Sequence, residues 1–70
     1  MKLTDLRQDA KGQITAVPFP RMAELGLVRG TTVRVLSKGM GGNPLQISFE
    51  GCRLLIDRRT ARKTEVEPCD

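Results

Sequence analysis

Two adjacent runs of alternating residues, 45–50 and 52–56, constrain the fold more than any other part of the chain. Apolar residues alternate with polar ones in the first run, as expected for a strand with one buried face. Glu50-Gly51 predicts a tight turn, after which the second run pairs back and Leu55 points outward. The inward positions of the two strands are Leu45, Ile47, Phe49, Cys52, Leu54 and Ile56.

Three further segments, 13–17, 32–36 and 64–67, predict strands, because each contains β-branched residues between turn signals. Pro68 is expected to end the last of them, since a proline cannot donate to a ladder. Seventy residues leave room for one domain only, spanning 1–70. The sequence therefore predicts a mainly β fold, a small SH3-like barrel of about five strands with one short helix and a helical turn.

The segment from Pro20 to Gly30 predicts the short helix and a turn. Pro20 suits a first helical turn, good helix formers follow it, and Gly26 suits the left-handed residue that ends a helix. Leu27 is then expected to fold back on Met22 or Ala23, with Met22 and Leu25 docking the helix to the core. The helical turn is expected over 57–61, and Leu3 and Leu6 are expected beneath the body of the domain.

The composition excludes several kinds of chemistry. Histidine is absent, which removes the usual partner of a Ser or Cys nucleophile and the commonest transition-metal ligand. Two cysteines do not make a structural zinc site. Cys52 is expected in the core. Cys69 lies near Glu65, Glu67 and Asp70, but we interpret it as part of a frayed terminus rather than a cation site. We expect no catalysis, no cofactor and no metal ligands.

The charge and hydropathy patterns bound the partners and the location. The net charge of +4 is a mild bias toward acidic partners, and the basic residues of 53–63 read as solvated barrel positions. No apolar run approaches the roughly 20 residues that cross a bilayer. Because two cysteines are too few for a disulfide scaffold, a cytoplasmic location is expected.

A set of motifs in a fixed order resembles the FeoA family, ferrous iron transport protein A. The motifs are residues 21–30 with their Leu-Gly-Leu-x-x-Gly turn, Val33-Arg34-Val35, Gly42-Asn43-Pro44 before a strand, Leu54-Leu55-Ile56 and Arg59-Thr60-Ala61. The resemblance implies an SH3-like barrel in a cytoplasmic bacterial protein that assists FeoB, the membrane ferrous iron transporter with a cytoplasmic GTP-binding domain. Similar domains occur in iron-dependent repressors.

Two positions depart from the family pattern. Asn43 stands where an acidic residue is usual, and Thr60 stands where Glu is usual in the turn before the last strand. Both changes remove negative charge, so contacts with a basic partner surface would differ. The family brings no known iron-binding cluster onto these residues.

Two alternatives remain open at this point. Lys11-Gly12-Gln13-Ile14-Thr15, followed by Pro20 and Leu25-Gly26-Leu27, also resembles the swapped-hairpin DNA-binding domain of AbrB-type regulators, which would mean a dimer that reads DNA. Against this, extra residues separate the strand from its proline, and the pattern explains nothing after Leu36. The other alternative is an independent SH3-like module for protein interaction.

The interpretation we favour is a non-enzymatic adaptor of the transporter's cytoplasmic G domain. Its partner-binding residues are expected to be Arg21 and Glu24 as polar contacts, Leu27 or Val28 as apolar contacts, and Met40 on the adjacent loop. No nucleic acid and no membrane insertion are expected. A weak homo-oligomer and recruitment to the inner face of the membrane are compatible with this interpretation.

Overall fold

The computed structural model describes residues 1–69, and five antiparallel strands form its one sheet. The strands are β1 (Lys11–Ala16), β2 (Thr32–Lys38), β3 (Leu45–Phe49), β4 (Cys52–Ile56) and β5 (Glu65–Cys69). Their order across the sheet is β4-β3-β2-β1-β5. The mainly β prediction with five strands is confirmed.

The helical segments of the described residues are short and lie between the strands. Three are 3₁₀ helices, Leu3–Asp5, Pro20–Leu25 and Met40–Gly42, and one is an α-helix, α1 (Arg58–Arg62). The predicted helical turn over 57–61 corresponds to α1. Leu3 and Leu6 are both buried, and the Leu3 N–H donates to the Thr64 carbonyl oxygen at 2.9 Å, so the N-terminal segment covers the core as expected.

The core is built from side chains of every strand and from the helices that cover them. Buried apolar residues are Leu3, Leu6, Ile14, Met22, Leu27, Val33, Val35, Leu45, Ile47, Phe49, Ile56, Ala61 and Val66. All three inward residues predicted for β3 are among them. This burial of alternate positions is what fixes the register of β3 against its neighbours.

The prediction for β4 was wrong at its start. Cys52 is exposed and Leu54 only half-buried, so Ile56 alone of the three expected positions joins the core. β4 lies at the edge of the sheet and has β3 as its neighbour on one side only. An edge strand covers less of the core than a central one, and the alternation of its sequence does not reveal that position.

The predicted end of β5 was also wrong, since the strand continues through Pro68 to Cys69. Pro68 stands opposite Gly12 in the ladder with β1. β5 is the other edge strand, and alternate N–H groups of an edge strand point away from the sheet, so a proline is tolerated there. Cys69 pairs with Lys11 in the same ladder, which corrects the expectation of a frayed terminus there, and Asp70 lies outside the described residues.

The segment after Pro20 forms the predicted short helix, but as a 3₁₀ helix. Gly26 has a φ of 91° and ends the helix in the left-handed conformation, while the Leu27 N–H donates to the Met22 carbonyl oxygen at 3.1 Å. Met22 is buried as expected. Leu25 is 54% exposed, which corrects its assignment to the core, whereas Leu27 beyond the glycine is buried.

Candidate functional site

The segment 21–28 presents both charged and apolar side chains to solvent. Arg21 and Glu24 are exposed and stand three residues apart, which places them on one face of a 3₁₀ helix. Leu25 is 54% exposed and Val28 is 42% exposed. We call these four residues, Arg21, Glu24, Leu25 and Val28, the helix patch.

Leu27 does not belong to this surface. Its exposed fraction is 1%, so the expectation that it contacts a partner is corrected, and Val28 is the apolar residue left for that role. The physical reason is the glycine cap, because the chain that leaves Gly26 turns Leu27 back under the helix. The burial of Leu27 could have been predicted from the sequence, since a Leu27 side chain that folds back on Met22 is covered by the helix.

Met40 lies at the tip of the loop between β2 and β3 and is 98% exposed. The loop rests against α1, where the Arg58 Nη1 donates to the Gly41 carbonyl oxygen and the Arg58 backbone N–H donates to Asn43 Oδ1, both at 3.0 Å. Met40 was expected on a loop next to the helix, and this expectation is corrected. Val28 precedes the start of β2 and Met40 follows its end, and a strand of this length spans about 20 Å.

Phe19 links the helix patch to α1. The guanidinium carbon of Arg21 lies 5.5 Å from the centre of the Phe19 ring, and the Lys63 ammonium lies 5.9 Å from it, both within cation–π range. Lys63 is the residue that ends α1, whose exposed arginines include Arg59 and Arg62. A basic surface therefore extends from the helix patch along α1, a grouping that the sequence analysis treated only as separate solvated positions.

The two residues that depart from the family pattern hold the beginning of α1. The Thr60 side chain lies close to the Asp57 carboxylate and is the main cause that lowers the pKa of Asp57. Asn43 accepts the N–H of Arg58, one of the donors that a helix leaves unpaired at its beginning. An amide oxygen accepts this hydrogen bond as a carboxylate would, so Asn43 keeps the contact without the charge.

An ion pair joins the N-terminal segment to β5. Lys2 Nζ lies 2.6 Å from Glu65 Oε1, and this hydrogen bond lowers the pKa of Glu65. Both side chains are partly exposed, so water screens the attraction between them. The contact is distant from the helix patch in sequence and has no part in it.

The described residues give little scope for metal chemistry. Within 1–69, no group of three or more His, Cys, Asp or Glu side chains is placed to hold a metal ion. Cys52 and Cys69 are exposed free thiols. Over the same range, no helix is both long enough and apolar enough to span a bilayer.

Comparison with known proteins identifies relatives of the whole fold. The FeoA domain model matches residues 1–68. A FeoA protein from Chlorobium tepidum is 31% identical over 100% of this chain and 71% of its own, with a TM-score of 0.91. FeoA of Stenotrophomonas maltophilia, solved with zinc and described as a prokaryotic SH3 domain protein, is 26% identical over 96% and 89% of the two chains, with a TM-score of 0.81.

A manganese-dependent transcriptional repressor shares the fold alone, at 16% identity over 99% of this chain and 41% of its own, with a TM-score of 0.84. No curated protein matches the chain by sequence. The resemblance to AbrB-type hairpins was misleading, because β1 pairs with β2 and β5 of its own chain within a five-stranded sheet. The SH3-like prediction is confirmed, and the chain belongs to the FeoA family, which is associated with ferrous iron transport.

Proposed function

We propose that the chain is a non-enzymatic accessory protein of bacterial ferrous iron uptake that binds the cytoplasmic part of the FeoB transporter. The observation that carries this proposal is the FeoA match over residues 1–68, nearly the whole chain. A sequence without histidine also lacks the side chain that most often serves as a general base. The protein then acts by contact, from the cytoplasm, and reaches the membrane through its partner.

The helix patch supplies a surface suited to such contact. Leu25 and Val28 offer apolar area without being needed in the core, and Arg21 and Glu24 border them with charges of both signs. Protein interfaces combine an apolar centre with a polar rim, and arginine is enriched in them. The Phe19 ring restrains Arg21 through the cation–π contact, which reduces the entropy lost on binding.

Isothermal titration of the purified G domain of FeoB into this protein tests the proposal. Val28→Asp places a charge in the contact and should weaken binding by about tenfold or more. Leu55→Asp is the matched control, since Leu55 is 64% exposed on β4 and lies outside the helix patch. If Val28→Asp and Leu55→Asp weaken binding equally, the assignment of binding to the helix patch is contradicted. If the wild type does not bind, the proposed function itself is contradicted.

Met40 requires a separate measurement, because it lies at the far end of β2 from Val28. The Met40→Asp variant should weaken binding only if the G domain reaches both ends of that strand. Thermal unfolding of the same variant provides the folding control, since a side chain that is 98% exposed contributes little to stability.

A further inference from the structure

The outer face of the sheet carries a row of cations that the sequence does not place together. Lys11 of β1 stands opposite Arg34 of β2, Arg34 stands opposite Ser48 of β3, and Ser48 stands opposite Arg53 of β4. Neighbouring strands are about 4.8 Å apart, so the row crosses four strands in about 15 Å. With Leu36 and Phe49 beside it, the row lines a groove that we call the cationic groove.

Within the described residues 1–69, no cation of this row forms a salt bridge. Lys11 and Arg34 are direct cross-strand partners, an arrangement in which like charges destabilise a sheet. The ion pair found within 1–69 joins Lys2 to Glu65, and it involves no residue of the groove. Glu50 is the one acidic side chain among the described lining residues, so positive charge remains in excess.

The groove also offers apolar surface to whatever binds there. Leu36 is half-buried on the outer face. Phe49, the aromatic residue among the described lining residues, is a core residue with 8% of its surface exposed. An aromatic ring this buried is no platform for stacked bases, which single-stranded nucleic acid requires. An extended peptide, by contrast, can place carboxylates on the cations and its backbone and methylene groups on Leu36.

We propose that the cationic groove binds an acidic peptide segment of a partner protein. The groove is built from β1 to β4 and shares no residue with the helix patch. Binding at the two surfaces can therefore be tested independently, and the proposal for the groove does not require the transporter to be the partner. Repulsion between Lys11 and Arg34 then destabilises the free protein, and the carboxylates of the bound peptide relieve it.

Fluorescence anisotropy with a labelled oligo-glutamate peptide tests this proposal on the full chain. Replacing Lys11 and Arg34 together by Gln removes two charges from the groove and should weaken binding about tenfold, the order of two surface ion pairs. The matched control replaces Arg59 and Arg62 by Gln, which removes the same charge from α1 and should change affinity by less than about twofold. Equal effects of the two double variants would overturn the proposal.

Two further readouts separate the groove from other roles. Arg34→Gln should leave the melting temperature unchanged or raise it, because it relieves the repulsion with Lys11; a clear fall would make Arg34 structural and overturn the proposal. Competition with duplex DNA and with phosphatidylserine vesicles identifies the class of ligand. Displacement of the peptide by either at lower concentration than unlabelled oligo-glutamate would assign the groove to that ligand instead.

Discussion

The helix patch and the Met40 loop both expose apolar side chains, yet they are held in different ways. Beneath the helix patch, Met22 and Leu27 are buried and tie the segment to the core. The 3₁₀ helix Met40–Gly42 has no buried residue. The loop is held instead by polar contacts, in which Arg58 donates to Gly41 and Asn43.

This difference determines how substitutions in the two regions should be interpreted. In the segment 21–28, residues proposed for binding alternate with buried residues that hold the fold, so a loss of binding there can reflect a loss of the fold. In the loop 39–44, the exposed side chain is independent of the core, so a change in binding reports on the contact alone. Matched pairs of variants test whether this distinction holds.

The largest expected effect comes from truncating the side chain beneath the helix patch. Leu27→Ala should lower the free energy of unfolding by about 2–5 kcal/mol, because it leaves a cavity in a fully packed core. Met40→Ala should change the same quantity by less than about 0.5 kcal/mol. Urea unfolding measures both, and similar losses for the two variants would remove the distinction between the regions.

A glycine pair tests how tightly the helix is docked. Gly30→Ala should cost about 1 kcal/mol, because its φ of 96° is left-handed but open space surrounds the position. Gly26→Ala has a similar φ of 91° and would also bring its Cβ to 3.0 Å from the Phe49 ring, so it should cost about 1 kcal/mol more. Equal losses in thermal unfolding would show that the ring moves away freely.

The polar attachment of the loop gives a smaller effect. Asn43→Ala removes the acceptor for the Arg58 N–H and should lower the free energy of unfolding by about 0.5–1 kcal/mol. Asn43→Asp keeps the acceptor and adds charge beside Arg58, so its stability should equal or slightly exceed that of the wild type. A loss from Asn43→Asp as large as that from Asn43→Ala would show that the charge itself is unfavourable here.

The smallest expected effect is on the pH dependence of stability. It arises from the Lys2–Glu65 ion pair, which lies outside both regions. Hydrogen bonding to Lys2 lowers the pKa of Glu65 in the folded state. The resulting stabilisation is present above the ordinary pKa of the group and is lost as the pH falls through the lowered value. Unfolding measured from about pH 6 to about pH 3 should depend less steeply on pH in Glu65→Gln than in the wild type.

An unchanged slope in Glu65→Gln would show that the ion pair contributes nothing measurable. The matched control is Glu24→Gln, which removes the same charge from the exposed helix patch. Its free energy of unfolding at about pH 6 should equal that of the wild type, since Glu24 makes no ion pair within 1–69.

Much of the fold was predictable because local patterns and tertiary structure agree. The alternation of 45–49 and the Pro20 to Gly26 signals describe elements whose burial follows from their own sequence. Cys52 and Pro68 were misassigned because an edge position depends on strand order, which no local pattern contains. Leu25 was misassigned because the apolar pattern of a six-residue helix does not say which of its residues face the core; Met22 is buried and Leu25 is exposed.

The sites were less predictable than the fold. Val28 and Met40 could be identified as exposed, but their separation by the length of β2 follows only from the path of the chain. The cationic groove could not be predicted, because Lys11, Arg34 and Arg53 come together through the register of four strands.

NMR titration of the isotopically labelled protein with the unlabelled G domain of FeoB tests the central claim most directly. The account predicts chemical-shift changes that are largest at Arg21, Glu24 and Val28 and small at Leu55. Chemical-shift changes centred on β4 would contradict it. An absence of changes with the G domain in large molar excess over the labelled protein would contradict it as well.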